Sequence, residues 1–173
     1  ANQAIVDRFR KIQPMNRRIL LVEDHDSLRQ VIGAFLSKQF QVTGAKNGLD
    51  AMGQLSQGLM PDVIVTDALM PGLNGMQFLA NLQCSGIYAN IPVVVISGSG
   101  NDDDEQRFKQ LGVHEYFRKP FNPVQLQDSL IRITAECPRI VPKLQKTNTQ
   151  YNLVQSMSAH LYPPAPSLAS REM

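Results

Sequence analysis

The 173-residue sequence has no tryptophan, only two cysteines, and aromatic side chains at 6% of positions. Cys84 and Cys137 are too few for a disulfide framework or a zinc site. Such sparse usage fits a reducing compartment. No run of 18 apolar residues is present, so no membrane span is expected, and the N-terminus lacks the long apolar core of a signal peptide. A cytoplasmic setting is therefore expected. A strong charge of one sign is also missing: the net charge is +2. That small value hides a gradient. Residues 1–18 hold five basic side chains against one acid, residues 136–173 hold four against two, and the middle is net negative. An acidic middle between modestly basic ends gives no reason to expect direct nucleic-acid binding.

Hydrophobic residues make up 43% of the chain, enough for one ordinary core. They fall into a regular rhythm. Arg18–Asp24 reads as the first strand, continuously apolar over residues 19–22 and ending in the two acids Glu23 and Asp24. Leu28, Val31, Ile32, Phe35 and Leu36 recur at helical spacing behind an Asp26 or Ser27 cap. Phe40–Ala45 reads as a weaker strand, and Gly48–Leu55 as a short helix.

Residues 62–66 form a β-branched strand ending at Asp67, and Pro71, Gly72 and Gly75 mark a turn behind it. A helix over Gly75–Gln83 follows, then a strand over Pro92–Ile96 that runs into Ser97. The next helix starts at Asn101 or Asp102, with four acids in its first turn that suit the helix dipole. Val113–Phe117 is the fifth strand, followed by Lys119 and Pro120. Pro123 opens the last helix, whose inner side carries Leu126, Leu130, Ile131 and Ile133. Five strands alternating with five helices predict a doubly wound parallel sheet. Outside this rhythm, Ile5, Phe9 and Ile12 suit one face of a short helix, as does Tyr151–Leu161.

Parallel strands put their carboxyl ends on one edge, where open α/β sheets hold their ligands. That edge would gather Glu23, Asp24, Asp67, Ser97 and Lys119. Two carboxylates about 4 Å apart repel by ~4 kcal/mol at an effective dielectric near 20. A hard divalent cation such as Mg²⁺ relieves this. Asp67 alone could be nucleophile, metal ligand or turn residue; beside a lysine and a hydroxyl it becomes a plausible phosphoryl acceptor.

The stretches Ile19–Asp24, Asp62–Asp67 with Met70–Gly75, Pro92–Gly98 and Tyr116–Phe121 together resemble the receiver domain of two-component response regulators. The resemblance implies a flavodoxin-like fold with strand order 2-1-3-4-5. It implies that Asp67 accepts a phosphoryl group from a phosphohistidine on a sensor histidine kinase or phosphotransfer protein. Glu23, Asp24, Asp67 and the backbone carbonyl of Leu69 would hold Mg²⁺. Lys119 would pair with the phosphate, its bond to Pro120 would be cis, and Ser97 and Tyr116 would be the switch residues. The face made by the fourth helix, fifth strand and fifth helix would then change its affinity for a downstream protein target, and could serve a homodimer.

Two departures from the family pattern stand out. Glu23 replaces the commoner aspartate, so its longer arm could reach the metal through water. Leu69 and Ser99 occupy positions that tune phosphoryl loss, and an apolar Leu69 predicts a long-lived phosphoryl state. The expected organisation is a basic tail or linker over 1–17, a receiver domain over 18–135, and a partly disordered extension over 136–173. That extension looks too short and irregular for an ordinary DNA-binding output module. The chain would then be a stand-alone regulator or a receiver piece of a hybrid kinase or multidomain regulator. A Mg²⁺-dependent phosphatase with an aspartyl nucleophile is the rival class; haloacid-dehalogenase-like enzymes of that kind carry an acid where Leu69 stands.

Overall fold

A computed structural model describes residues 17–98 and 102–137. The N-terminal helix expected around Phe9, the Tyr151–Leu161 helix and Ser99 lie outside the described residues. Five strands, β1 (Arg18–Val22), β2 (Gln41–Ala45), β3 (Val63–Asp67), β4 (Val93–Ser97) and β5 (Glu115–Arg118), form one parallel sheet in the order β2-β1-β3-β4-β5. Five helices alternate with them: α1 (Asp26–Leu36), α2 (Gly48–Ser56), α3 (Gly75–Cys84), α4 (Asp102–Gln110) and α5 (Pro123–Glu136). This is the flavodoxin-like architecture, covered by helices on both faces.

The central strands are apolar on both sides because both sides are covered. Every residue of β3 and β4 is buried. Alternate residues feed two cores. On one face Leu20, Val22, Ile64, Val93 and Val95 pack against Leu55, Phe78, Leu79 and Phe108. On the other, Ile19, Leu21, Val63, Val65, Val94 and Ile96 pack against Ile32, Leu36, Leu126, Leu130 and Ile133. Full burial of each such side chain is worth roughly 1.5–3 kcal/mol, which holds the strand tips in register.

Several local expectations are corrected. The N-cap of α1 is His25, not Asp26 or Ser27, and it makes no side-chain cap bond. Asp26 instead lies in the first turn, where it pairs with Arg29. Val31 faces solvent at 65% exposure, because Leu28, Ile32, Phe35 and Leu36 already cover the inner side. Strand β5 begins at Glu115, two residues later than its apolar run suggests, since pairing with β4 begins at Glu115 opposite Val94. The side chain of Arg118 at its end pairs with Asp102 and Glu105 of α4.

Candidate functional site

β1 and β3 pair with Val22 beside Thr66, so Glu23 and Asp67 leave adjacent strands at the same level. β3 and β4 pair with Asp67 beside Ile96, which brings Ser97 next to the end of β3. β4 and β5 pair with Ser97 beside Arg118, and the Lys119 N–H donates to the Ser97 carbonyl at 2.7 Å. Register alone therefore gathers the tips of four strands.

The three acids converge. Glu23, Asp24 and Asp67 each offer a carboxylate oxygen within 4.8 Å of the others. Their environments differ. Glu23 and Asp67 are buried, at 1% and 5% exposure, whereas Asp24 is exposed. Lys119 reaches across the sheet edge: its Nζ donates to Asp67 Oδ2 at 2.5 Å and to Glu23 Oε2 at 2.9 Å. The other oxygen of Asp67 accepts the backbone N–H of Leu69 at 3.0 Å. Burial pushes the Glu23 carboxyl above its usual range, against the bond from Lys119, and the neighbouring Asp67 charge adds to the rise. Burial alone would pull the Lys119 ammonium down, but its bonds to Asp67 and Glu23 outweigh that and raise it.

The loop behind Asp67 is built to hold this geometry. At Gly75 a Cβ would sit 2.9 Å from the Ala68 Cα and closer still to the Asp67 carbonyl oxygen, so only glycine lets α3 start this close to β3. Asn74 caps α3 by accepting from the Gln77 N–H at 2.9 Å, and Gln77 accepts from the Asn74 N–H at 3.2 Å. In the sequence Gly75 signals only a turn, while the Asn-x-x-Gln spacing of Asn74 and Gln77 is the signal of this capping box. The Gly75 N–H closes the loop on the Ala68 carbonyl at 3.0 Å.

The remaining expected residues fall as follows. Ser97 is fully buried at the end of β4. The Lys119–Pro120 bond is cis. The Tyr116 ring packs against Phe108 with centroids 5.8 Å apart, and its hydroxyl is buried without a partner among the described residues. Leu69 is 61% exposed at the rim of the site. His25 is exposed, and its backbone N–H donates to Glu23 Oε1 at 3.4 Å.

Residues 19–131 match the family model of the response regulator receiver domain. The chain is 36% identical over 129 residues to the phosphate regulon transcriptional regulatory protein PhoB of Escherichia coli, covering 74% of this chain and 55% of that protein. It spans about half the length of the PhoB relatives it matches. It is 31% identical over 117 residues to the sporulation initiation phosphotransferase F of Bacillus subtilis, covering 67% of this chain and 92% of that one. Among solved structures, the chemotaxis response regulator CheY4 of Vibrio cholerae superposes with a TM-score of 0.62 at 28% identity, covering 68% of this chain and 98% of CheY4.

Proposed function

Since this chain belongs to the response regulator receiver domain family of two-component systems, we propose that it is a phosphoacceptor switch in which Asp67 carries the phosphoryl group. The observation that carries this reading is the convergence of Glu23, Asp24 and Asp67 within 4.8 Å, with Lys119 bonded to two of them.

The donor set fits Mg²⁺. It offers oxygen ligands only, from carboxylates that repel one another, at the open end of a parallel sheet. Glu23, Asp24, Asp67 and the Leu69 carbonyl would hold the ion. When bound, it neutralises charge on the acids and on the phosphoryl oxygens. The chain's own residues do the rest. Asp67 presents a carboxylate oxygen to the phosphorus of a phosphohistidine on a kinase or phosphotransfer protein; the new O–P bond forms as the N–P bond to the imidazole breaks. Lys119, already aimed at Asp67, moves its ammonium to the phosphoryl oxygens as charge builds there. Ser97, at the tip of the neighbouring strand, donates its hydroxyl to the same group.

The output follows from the same strand ends. Ser97 ends β4 and Lys119 follows β5, so a new dianion at Asp67 pulls on both sides of α4. Tyr116 on β5 answers with its ring, and the α4–β5–α5 face changes its affinity for a protein target or a second copy. Residues 18–135 are taken as this receiver unit, in a cytoplasmic setting, either on its own or within a larger regulator or hybrid kinase. Stoichiometric labelling with acetyl phosphate, lost in Asp67→Asn, tests the reading. Catalytic turnover of a small phosphomonoester would instead favour an aspartyl-nucleophile phosphatase.

A further inference from the structure

We infer that Arg29 is a positioning residue for the acidic cluster: its forked guanidinium fixes the β1–α1 turn so that Glu23 and Asp24 stay within reach of Asp67. This rests on the Mg²⁺ reading above and adds a residue that reading does not use.

The turn needs an outside support. α2, α3 and α5 are each capped by an asparagine, Asn47, Asn74 and Asn122, whose side chain accepts a backbone N–H, from Asp50, Gln77 and Val124 respectively. α1 begins at His25, which makes no such bond. The two acids therefore sit in the one turn of these four that lacks a side-chain cap.

Arg29 supplies the missing restraint from one turn further along. One arm of its guanidinium donates to the backbone carbonyl of Glu23 at 2.6 Å. The Glu23 N–H donates to the Ala45 carbonyl of β2 at 3.0 Å, so both backbone groups of this acid are held. The other arm of Arg29 pairs with Asp26 in the first turn of α1. The carbonyl of Glu23 belongs to the peptide that leads into Asp24, so fixing it sets the direction in which both acids leave the strand.

The stem is guided as well. Arg29 runs past Gly44 on β2, where a Cβ would stand 3.4 Å from Arg29 Cδ and 3.7 Å from Cγ. The stem therefore lies along the edge strand β2 at ordinary contact distance from this position. Arg29 thus ties the end of β1, the start of α1 and the edge strand β2 together, with its side chain only 21% exposed. A planar fork can serve the carbonyl and the carboxylate at once; a lysine ammonium would meet them as a single point.

The test uses the full chain and reads Mg²⁺ binding by calorimetry together with thermal unfolding in the absence of metal. Arg29→Met keeps an apolar stem beside Gly44 and removes every donor. Its Mg²⁺ Kd should rise by about tenfold, the scale on which residues that orient ligands act. Arg29→Lys, which keeps one donor for the Glu23 carbonyl, should bind more tightly than Arg29→Met. Arg29→Gln, too short to serve both the Glu23 carbonyl and Asp26, should weaken Mg²⁺ binding in the same direction and serves if Arg29→Met does not fold. A lowered melting temperature with unchanged Mg²⁺ affinity in Arg29→Met or Arg29→Gln would reduce Arg29 to a structural residue and overturn the inference. Wild-type protein that takes up no Mg²⁺ would overturn the Mg²⁺ reading itself, a result distinct from variants that bind as wild type does.

Discussion

Lys119 Nζ lies 2.5 Å from Asp67 Oδ2, although the two residues are 52 positions apart in the chain. The same ammonium is 2.9 Å from Glu23 Oε2. One cation therefore bridges the tips of three strands and balances part of a buried carboxylate cluster. It stands where a phosphoryl group on Asp67 would need a positive partner. The pair also links the site to β5, whose next residue back, Arg118, is bound to Asp102 and Glu105 on α4.

The cluster should cost stability in the absence of metal. Burial raises the Glu23 carboxyl above its ordinary value near 4.5. A raised value means that the folded state holds the proton more tightly than the unfolded chain. Its contribution is fullest below about pH 4.5 and is lost as pH rises through the folded value. In metal-free protein this part of the stability should be lost across that window, opposed by Asp50 and Glu105, whose carboxyls are lowered by their hydrogen bonds. Glu23→Gln should flatten the loss and melt higher at neutral pH, while binding Mg²⁺ more weakly. Thermal unfolding against pH, with and without Mg²⁺, checks both signs.

Gly75→Ala should damage the site through the backbone. The added Cβ would meet the Asp67 carbonyl and the Ala68 Cα, neither of which can yield cheaply. Overpacking of this kind costs about 1–3 kcal/mol. Chemical denaturation should show that loss, and acetyl phosphate labelling of the folded fraction should slow because the acceptor itself has moved.

Leu69→Asn should shorten the phosphoryl lifetime severalfold. Leu69 is exposed at the rim, and its N–H binds Asp67 Oδ1, so the residue stands beside the acceptor in contact with solvent. Leucine cannot orient a water there, whereas an amide can. Decay of the labelled protein after removal of donor measures the difference. Rapid loss in wild type, unchanged by the substitution, would contradict it.

Tyr116→Phe should leave the unphosphorylated protein equally stable or slightly more so, by up to about 1 kcal/mol, because the buried hydroxyl has no partner among the described residues. Denaturant midpoints check this. A clear destabilisation would mean that the hydroxyl is bonded after all.

Much of this was legible in the sequence because strand tips obey topology. Continuous apolar runs identify the strands, alternation with helices makes them parallel, and parallel strands bring Glu23, Asp67, Ser97 and Lys119 to one edge. What was not legible depends on backbone groups and on which face wins. The bond from Arg29 to the Glu23 carbonyl leaves no side-chain pattern. Gly75 signals a turn in any sequence, and only the approach of α3 to β3 shows that a Cβ has no room. Val31 fits the helical period yet faces solvent, since the period cannot say where an apolar stripe stops.

The switch depends on Asp67 being the phosphoryl acceptor. Incubating the protein with Mg²⁺ and radiolabelled acetyl phosphate tests it most directly, with intact-mass and peptide mapping to locate the label. One phosphoryl group per chain is expected, on Asp67, base-labile and released by hydroxylamine as an acyl phosphate should be, and absent from Asp67→Asn. Full labelling of Asp67→Asn, or no labelling of a folded wild-type protein that binds Mg²⁺, would contradict it.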